Sequence, residues 1–353
     1  MVEETNMHTL ISKQLVNKTG IAFLVVSTLL VTLPAQAQKP YGNYKTPKTG
    51  FGQPDIQGFW TNATLTPLSR PREVEAAVYS EAEVAELENR AAIIEKEGNQ
   101  ATDPNAPAEF RPETTFERSA ASRAAGGAVG GYNRFWLDPG NSVMRVGGEP
   151  RTSILTTPDG RVPARLDGAT PSRRAFRSRP AGYVGYDALG ANDRCLKSFG
   201  RNAEPPMFAN GFYNNNYQIV QTPNSVMILV EMIHDVRIIP LNSKHRNDGI
   251  RPWLGDSIGW WEGNTLVVET TNLPANLQFN GSWENLTITE RFTRVADERL
   301  HYAFTINDPT LWEKPWGGEY EFNNLDGQVY EYACHEGNYA LPGILKGMLD
   351  AAE

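Results

Sequence analysis

Histidines, one carboxylate in an apolar strand pattern and a dense group of tryptophans are the residues of this chain best suited to chemistry. Glu231-Met232-Ile233-His234-Asp235 sets an imidazole between carboxylates in an apolar stretch that reads as strand. His335-Glu336 follows Cys334 in a turn that runs on into Gly337 and Asn338. An imidazole titrates near neutrality and a neighbouring carboxylate can orient it. His234 and His335 therefore read as proton-transfer groups, with Asp235 or Glu336 holding the ring. In Leu286–Phe292 a period of two puts Leu286, Ile288, Glu290 and Phe292 on one face, and Thr287, Thr289 and Arg291 on the other. Glu290 is thereby expected among apolar side chains, where desolvation raises a carboxyl pKa unless a cation meets it. It is then either a general acid or base, or half of a structural pair with Arg237, Arg291 or Arg294. The sequence has 5 His in all. His8 precedes the mature chain, His301 alternates with Leu300 and Tyr302 and faces away from the apolar side of its strand, and His245 sits in a polar, loop-like run.

Trp253, Trp260, Trp261, Trp283, Trp312 and Trp316 crowd one stretch of the chain. Most must serve packing, yet that density suits a concave apolar pocket with a few polar groups. Glu231, Arg237, Trp260, Trp261 and Trp283 are the residues expected to line it. Two His and two Glu would also suit zinc or another divalent cation, although no His-Glu-x-x-His, Cys-x-x-Cys or calcium-loop spacing is present. Gly255-Asp256-Ser257-Ile258-Gly259 has the spelling of a nucleophile elbow. It lacks the strand before and the helix after, so a glycine-flanked turn is the expected reading. Gly126-Gly127-Ala128-Val129-Gly130-Gly131 lacks both the dinucleotide spacing and a phosphate-binding Lys. Arg161, Arg165, Arg173, Arg174, Arg177 and Arg179 could grip an anion, but pairing with an acidic helix or with solvent is the expectation.

The compartment shapes what the cysteines mean. Lys13 and Lys18 precede a short apolar run, Ile21 to Leu33, and then Ala35-Gln36-Ala37. A basic region, an apolar core and a small-x-small site describe a secretory signal peptide over residues 1–37, cut before Gln38. An uncleaved anchor is the alternative, with the run short for a bilayer. Export to the periplasm or beyond favours a disulfide between the 2 Cys, Cys195 and Cys334. Two buried thiols, or a catalytic Cys334 beside His335, are the other readings. With 33 Lys+Arg against 41 Asp+Glu, a net charge of -8 disfavours nucleic acid and anionic membrane as partners. A mean hydropathy of -0.44 excludes a multi-span membrane protein.

The elements that would position these residues are mostly strands. After an extended arm at 38–54, Ser80-Glu81-Ala82-Glu83 spells a capping box. It predicts a helix to about Lys96, with Val84, Leu87, Ala91 and Ile94 on its buried face. A Pro-, Ala- and Gly-rich linker follows at 101–131. Paired strands are expected at Ser142–Val146 with Thr152–Thr157, Tyr217–Gln221 with Val226–Met232, and Trp260-Trp261 with Thr265–Thr270. Leu286–Arg294 pairs with Leu300–Ile306, and Gln328–Cys334 adds a further strand. Successive hairpins give an antiparallel all-β sheet, and closure into a barrel removes its edges. A short helix is expected from Leu341 to Ala352. The whole reads as one β-barrel domain over 55–353, with the helix and linker inserted around 80–131.

Gly58-Phe59-Trp60, opening the mature chain before hairpin after hairpin, resembles the Gly-x-Trp entry of lipocalin-like (calycin) barrels. That resemblance implies a barrel begun by this strand, with Trp60 plugging its base. The chain also resembles a set of secreted bacterial proteins of unassigned function. The shared blocks are Tyr213-Asn214-Asn215-Asn216-Tyr217-Gln218-Ile219-Val220, Trp261-Glu262-Gly263-Asn264-Thr265-Leu266-Val267-Val268-Glu269-Thr270 and Tyr330-Glu331-Tyr332-Ala333-Cys334-His335-Glu336-Gly337-Asn338-Tyr339. The expectation is a cofactor-independent isomerase, lyase or hydrolase acting on a small apolar or aromatic molecule. Its acid–base groups would be His234, Glu290 and His335, gathered at one barrel end. A non-catalytic periplasmic binding protein is the alternative.

Overall fold

The structure is a computed structural model and describes residue 41, residues 44–98, 138–169, 189, 191, 194–197, 204–208, 215–336 and 339–350. The leader at 1–37, the linker at 101–131 and Arg173 to Arg179 lie outside the described residues. What is described belongs to one unit, Pro40–Glu353.

The chain runs through β1 (Gly58–Thr61), α1 (Glu81–Gly98), β2 (Arg145–Val146), β3 (Glu149–Pro150), β4 (Asn216–Gln221), β5 (Ser225–Val230) and β6 (Val236–Pro240). It continues through β7 (Asp256–Glu262), β8 (Thr265–Thr271), β9 (Thr287–Ala296), β10 (Arg299–Asn307), β11 (Trp316–Asn324) and α2 (Ala340–Asp350). Nine strands form one sheet in the order β6-β5-β4-β1-β11-β10-β9-β8-β7, and every neighbouring pair is antiparallel. The sheet's two edges, β6 and β7, meet at a single parallel bridge between Leu241 and Gly259, where the Asn242 N–H donates to the Gly259 carbonyl at 2.7 Å. β2 and β3 make a separate two-stranded ribbon.

Period-two burial fixes which face is inside. In β5, Val226, Ile228 and Val230 are all fully buried, while their neighbours along the strand are partly exposed. β4, β9, β10 and β11 add Tyr217, Ile219, Ile288, Phe292, Tyr302, Tyr320 and Phe322 to the same core. Trp60 is buried as well, its Nε1–H donating to the Ile56 carbonyl at 3.2 Å. The arm crosses the outer face. Tyr44 Oη donates to Asp297 Oδ1 at 3.0 Å, and Thr46 Oγ1 donates to the Arg294 carbonyl.

The capping box forms as read. Ser80 N–H donates to Glu83 Oε2 at 2.7 Å and the Glu83 N–H returns to Ser80 Oγ at 3.3 Å. Glu81 meets Arg145 at 2.6 Å, and Arg161 donates to the carbonyls of Arg70 and Pro71. Other expectations are corrected. Residues 328–334 form no strand. The strand is β11, hidden from the sequence reading by Gly317 and Gly318. A Cβ at Gly317 would stand 2.0 Å from the Phe304 carbonyl oxygen, and one at Gly318 would stand 2.6 Å from that of Ile154. Two backbones pass too close there for any side chain, so glycine belongs in this strand. The Gly255–Gly259 run is not a turn either, because Asp256 opens β7. Nor is His234 in a strand: Met232–His234 is a short 3-10 turn.

Candidate active site

Glu290 lies where the alternation placed it, on the inner face of β9 and fully buried. Its cation is Arg237, the one inward-facing charge of β6. The Arg237 Nη1–H donates to Glu290 Oε1 at 3.1 Å and Nη2–H to Oε2 at 2.5 Å. Tyr302 Oη donates to Glu290 Oε1 at 2.8 Å and accepts the Met207 N–H at 2.9 Å. Tyr320 Oη donates to the Met207 carbonyl, and Asn62 Nδ2 donates to Tyr217 Oη and Tyr320 Oη at 2.9 Å each. A polar network thus threads the core and is closed by the backbone of the Glu204–Phe208 segment. Burial alone would lower the Arg237 pKa, but the Glu290 charge and its hydrogen bonds outweigh this and raise it. Burial, then the charge of Glu290, pushes the Tyr302 hydroxyl well above its ordinary range. Of the two readings of Glu290, this geometry is that of the structural pair.

The turn between β5 and β6 makes a different site. Ile233 (φ 65°) and His234 (φ 48°) are both left-handed. That conformation is costly for a branched side chain and tends to persist where the surroundings demand it. Met232 and Ile233 are buried beneath it, which leaves His234 exposed and Asp235 half-buried. The Asp235 carbonyl accepts the Val230 N–H at 2.9 Å and so locks the turn onto β5. Asp235 lines a cleft of about 290 Å³ between the start of β6 and the segment 252–257. Val236, Arg237 and Ile238 form one wall, and Pro252, Trp253, Leu254, Gly255 and Ser257 the other. Burial, followed by the negative charge of Glu204, raises the Asp235 pKa to about 6; His234 opposes the shift. Glu204 is itself buried, with Lys197 Nζ at 2.8 Å. A carboxyl raised in this way is suited to proton transfer near neutral pH.

The remaining expected site residues scatter. His335 and Glu336 are exposed. Among the described residues no hydrogen bond or ion pair joins His234 or His335 to Glu290, so the three do not meet as one buried cluster. Glu231 is buried as a tie between segments, accepting from Asn216 Nδ2 at 2.6 Å and from the Tyr330 N–H at 2.7 Å. Trp260 and Trp261 are consecutive in β7 and point to opposite faces. Trp261 packs on the core, whereas Trp260 Nε1–H donates to Glu262 Oε1 at 3.0 Å. Trp283 lies under the Arg251 guanidinium at 5.0 Å. Ser257 shares a hydrogen bond of 2.8 Å with Thr270 Oγ1, and among the described residues no imidazole is hydrogen-bonded to it. Cys195 and Cys334 are joined as a disulfide with Cα atoms 5.9 Å apart, tying the C-terminal segment to residues 194–197. Among the described residues no group of three or more His, Cys, Asp or Glu stands where it could hold a metal ion. No helix among them is long and apolar enough to cross a membrane.

Two histidines that the sequence reading set aside have organised surroundings. His301 does face outward, but Tyr41 of the arm covers it, with ring centroids 5.4 Å apart, and only 1% of the residue is exposed. Its Nε2 lies 3.1 Å from Glu319 Oε2. Burial would raise the Glu319 pKa, yet His301 and then Arg151 hold it below the ordinary range. His245 bridges Asp256 at 2.9 Å and Glu269 at 3.1 Å, fastening the 242–255 loop to the β7–β8 hairpin. The signal was present for His245, since Asp256 and Glu269 share the outer face of that hairpin and call for a cation.

No family model matches the chain, and no curated protein matches it.

Proposed function

We propose that this chain is an exported, cofactor-independent enzyme, an isomerase, lyase or hydrolase, acting on a small apolar or aromatic molecule bound in the cleft between β6 and residues 252–257. Asp235 is its principal proton-transfer group, with His234 beside it in sequence as a second titratable group. The carrying observation is a half-buried carboxyl with a pKa of about 6 in a cleft walled by Trp253, Leu254 and Pro252. A carboxyl in that range holds useful amounts of both forms near neutrality, which general acid–base catalysis requires. The strained turn that presents it adds support, because such backbone clusters at functional sites. A lipocalin-like closure of the sheet belongs to the same reading. It is supported by the Leu241–Gly259 bridge and by Arg237 of one edge strand reaching Glu290 of β9.

A non-catalytic binding protein is the second reading, favoured by the largely apolar cleft walls. The two separate by NMR-followed incubation with small neutral esters, lactones and ketones in D₂O between pH 5 and 8. The enzyme reading expects hydrolysis, isomerisation or α-proton exchange with a pH dependence centred near 6. Asp235→Asn should then lose about 10²- to 10⁴-fold. Binding without turnover in both proteins would leave the carrier.

A further inference from the structure

Arg237 does more than hold Glu290. Its two terminal nitrogens are committed to that carboxylate, but its Nε–H has no acceptor among the described residues. Arg237 is 3% exposed and also lines the cleft beside Asp235. A buried, unpaired donor on a charged group is costly, and native structures rarely leave one without a reason. The donor is closed off from water in this arrangement. The wall opposite, residues 252–255, is not laddered to β6, and among the described residues the one ladder bridge between the two edges is Leu241–Gly259. A ligand that parts them and supplies an oxygen recovers the missing hydrogen bond.

We infer that the cleft takes a neutral carbonyl compound with an apolar or aromatic body, its carbonyl oxygen accepting from Arg237 Nε–H and its body lying against Trp253 and Leu254. This deepens the proposed function and rests on its placement of the site, but it does not depend on turnover. A carboxylate would fit worse than a ketone or ester. The Arg237 charge is already matched by Glu290, while Asp235 adds a carboxylate to the cleft lining at pH 7.5. A plain hydrocarbon would fill the cleft yet leave Nε–H unpaired. Before any parting of its walls the cleft holds about 290 Å³, near the small end of ordinary ligand sites, which suits a one-ring ketone or ester. Bound in this way, the carbonyl is polarised by a guanidinium N–H and stands near a carboxyl able to exchange protons.

Isothermal titration calorimetry of the full disulfide-bonded chain at pH 7.5 with acetophenone, benzoate and toluene tests the inference. The expected order is acetophenone first, toluene about 10-fold weaker and benzoate weakest, one hydrogen bond to a charged donor accounting for about that factor. Trp253→Ala should weaken acetophenone and toluene together. Removing Arg237 alone strands a buried Glu290, so the informative variant is the Arg237→Met/Glu290→Met pair, which leaves no unpaired charge. It should bind toluene as before and lose the preference for acetophenone. Equal binding of acetophenone and toluene, a preference for benzoate, or a ketone preference that survives in the double variant would each overturn the inference. An intact preference with no hydrolysis, isomerisation or α-proton exchange in the NMR-followed incubations would support this ligand class and instead sink the enzymatic reading.

Discussion

At the scale of single residues, Asp235 and Glu290 show how burial and pairing divide two carboxyls between roles. Glu290 is satisfied on both oxygens and sits in a rigid core. Asp235 is half-buried, with burial and Glu204 driving its pKa up to about 6 from the ordinary 3.8. A raised folded-state pKa means that folding favours the protonated form. That contribution is complete below about pH 4 and is lost as pH rises through about 6. At pH 7 the ionised Asp235 therefore weighs against the fold. Asp235→Asn should raise stability at pH 7 by on the order of 1 kcal/mol, a figure reduced for its solvent exposure. The gain should vanish near pH 4 in urea melts taken at both values. Increased stability with lost activity marks a residue kept for function; a loss of stability at pH 7 would make Asp235 structural. Sequence alternation was enough to bury Glu290, because β9 is regular across it. It could not choose Arg237 over Arg291 and Arg294, since that choice depends on β6 arriving over β9 from far along the chain. Nor could it find the left-handed turn at Ile233 and His234, which no glycine announces.

At the scale of elements, the legible parts were those with strong local chemistry. The Ser80–Glu83 box and the apolar positions Val84, Leu87, Ala91 and Ile94 specify α1, and alternating hairpins specify β4–β5, β7–β8 and β9–β10. β11 was illegible because Trp316-Gly317-Gly318 reads as a breaker, although the glycines answer a close backbone approach. Thr156 and Glu319 donate to the Gly317 and Ile154 carbonyls at 3.0 Å, which brings the 153–156 segment against β11. Gly317→Ala should therefore destabilise the chain by about 1–3 kcal/mol, the usual range for forced overpacking. Gly343→Ala in α2, where an added Cβ meets nothing within 4 Å, is the control and should be neutral or slightly stabilising. Chemical denaturation of the two variants checks this, and equal effects would contradict the account of β11. The false strand at Gln328–Cys334 has the opposite cause. Its Tyr and Val content suits a strand, yet the segment is held by Glu231 and the disulfide rather than by a ladder.

For the whole molecule, one long antiparallel sheet carries its polar network inside and its candidate cleft where the two edges come together. Antiparallel class and disulfide were legible from hairpin spacing and from an even cysteine pair. The core polar network was not, because it is completed by the Met207 backbone, far in sequence from Tyr302 and Tyr320. The Arg237–Glu290 pair links one edge strand, β6, to β9, the third strand from the opposite edge, so Glu290→Met alone should cost about 3–5 kcal/mol by stranding a buried guanidinium. The Arg237→Met/Glu290→Met variant should recover most of that loss. Calorimetric melts of both proteins measure the difference, and a double variant as unstable as the single one would show that the pair itself stabilises the fold.

The central claim is that the strained turn after β5 presents a carboxyl tuned for proton transfer. Carboxyl ¹³C shifts of Asp235, followed by NMR from pH 3 to 8, test it directly. The account predicts a midpoint of about 6 that falls in a Glu204→Gln variant. A midpoint near the ordinary aspartate value of about 4, unchanged by Glu204→Gln, would contradict it.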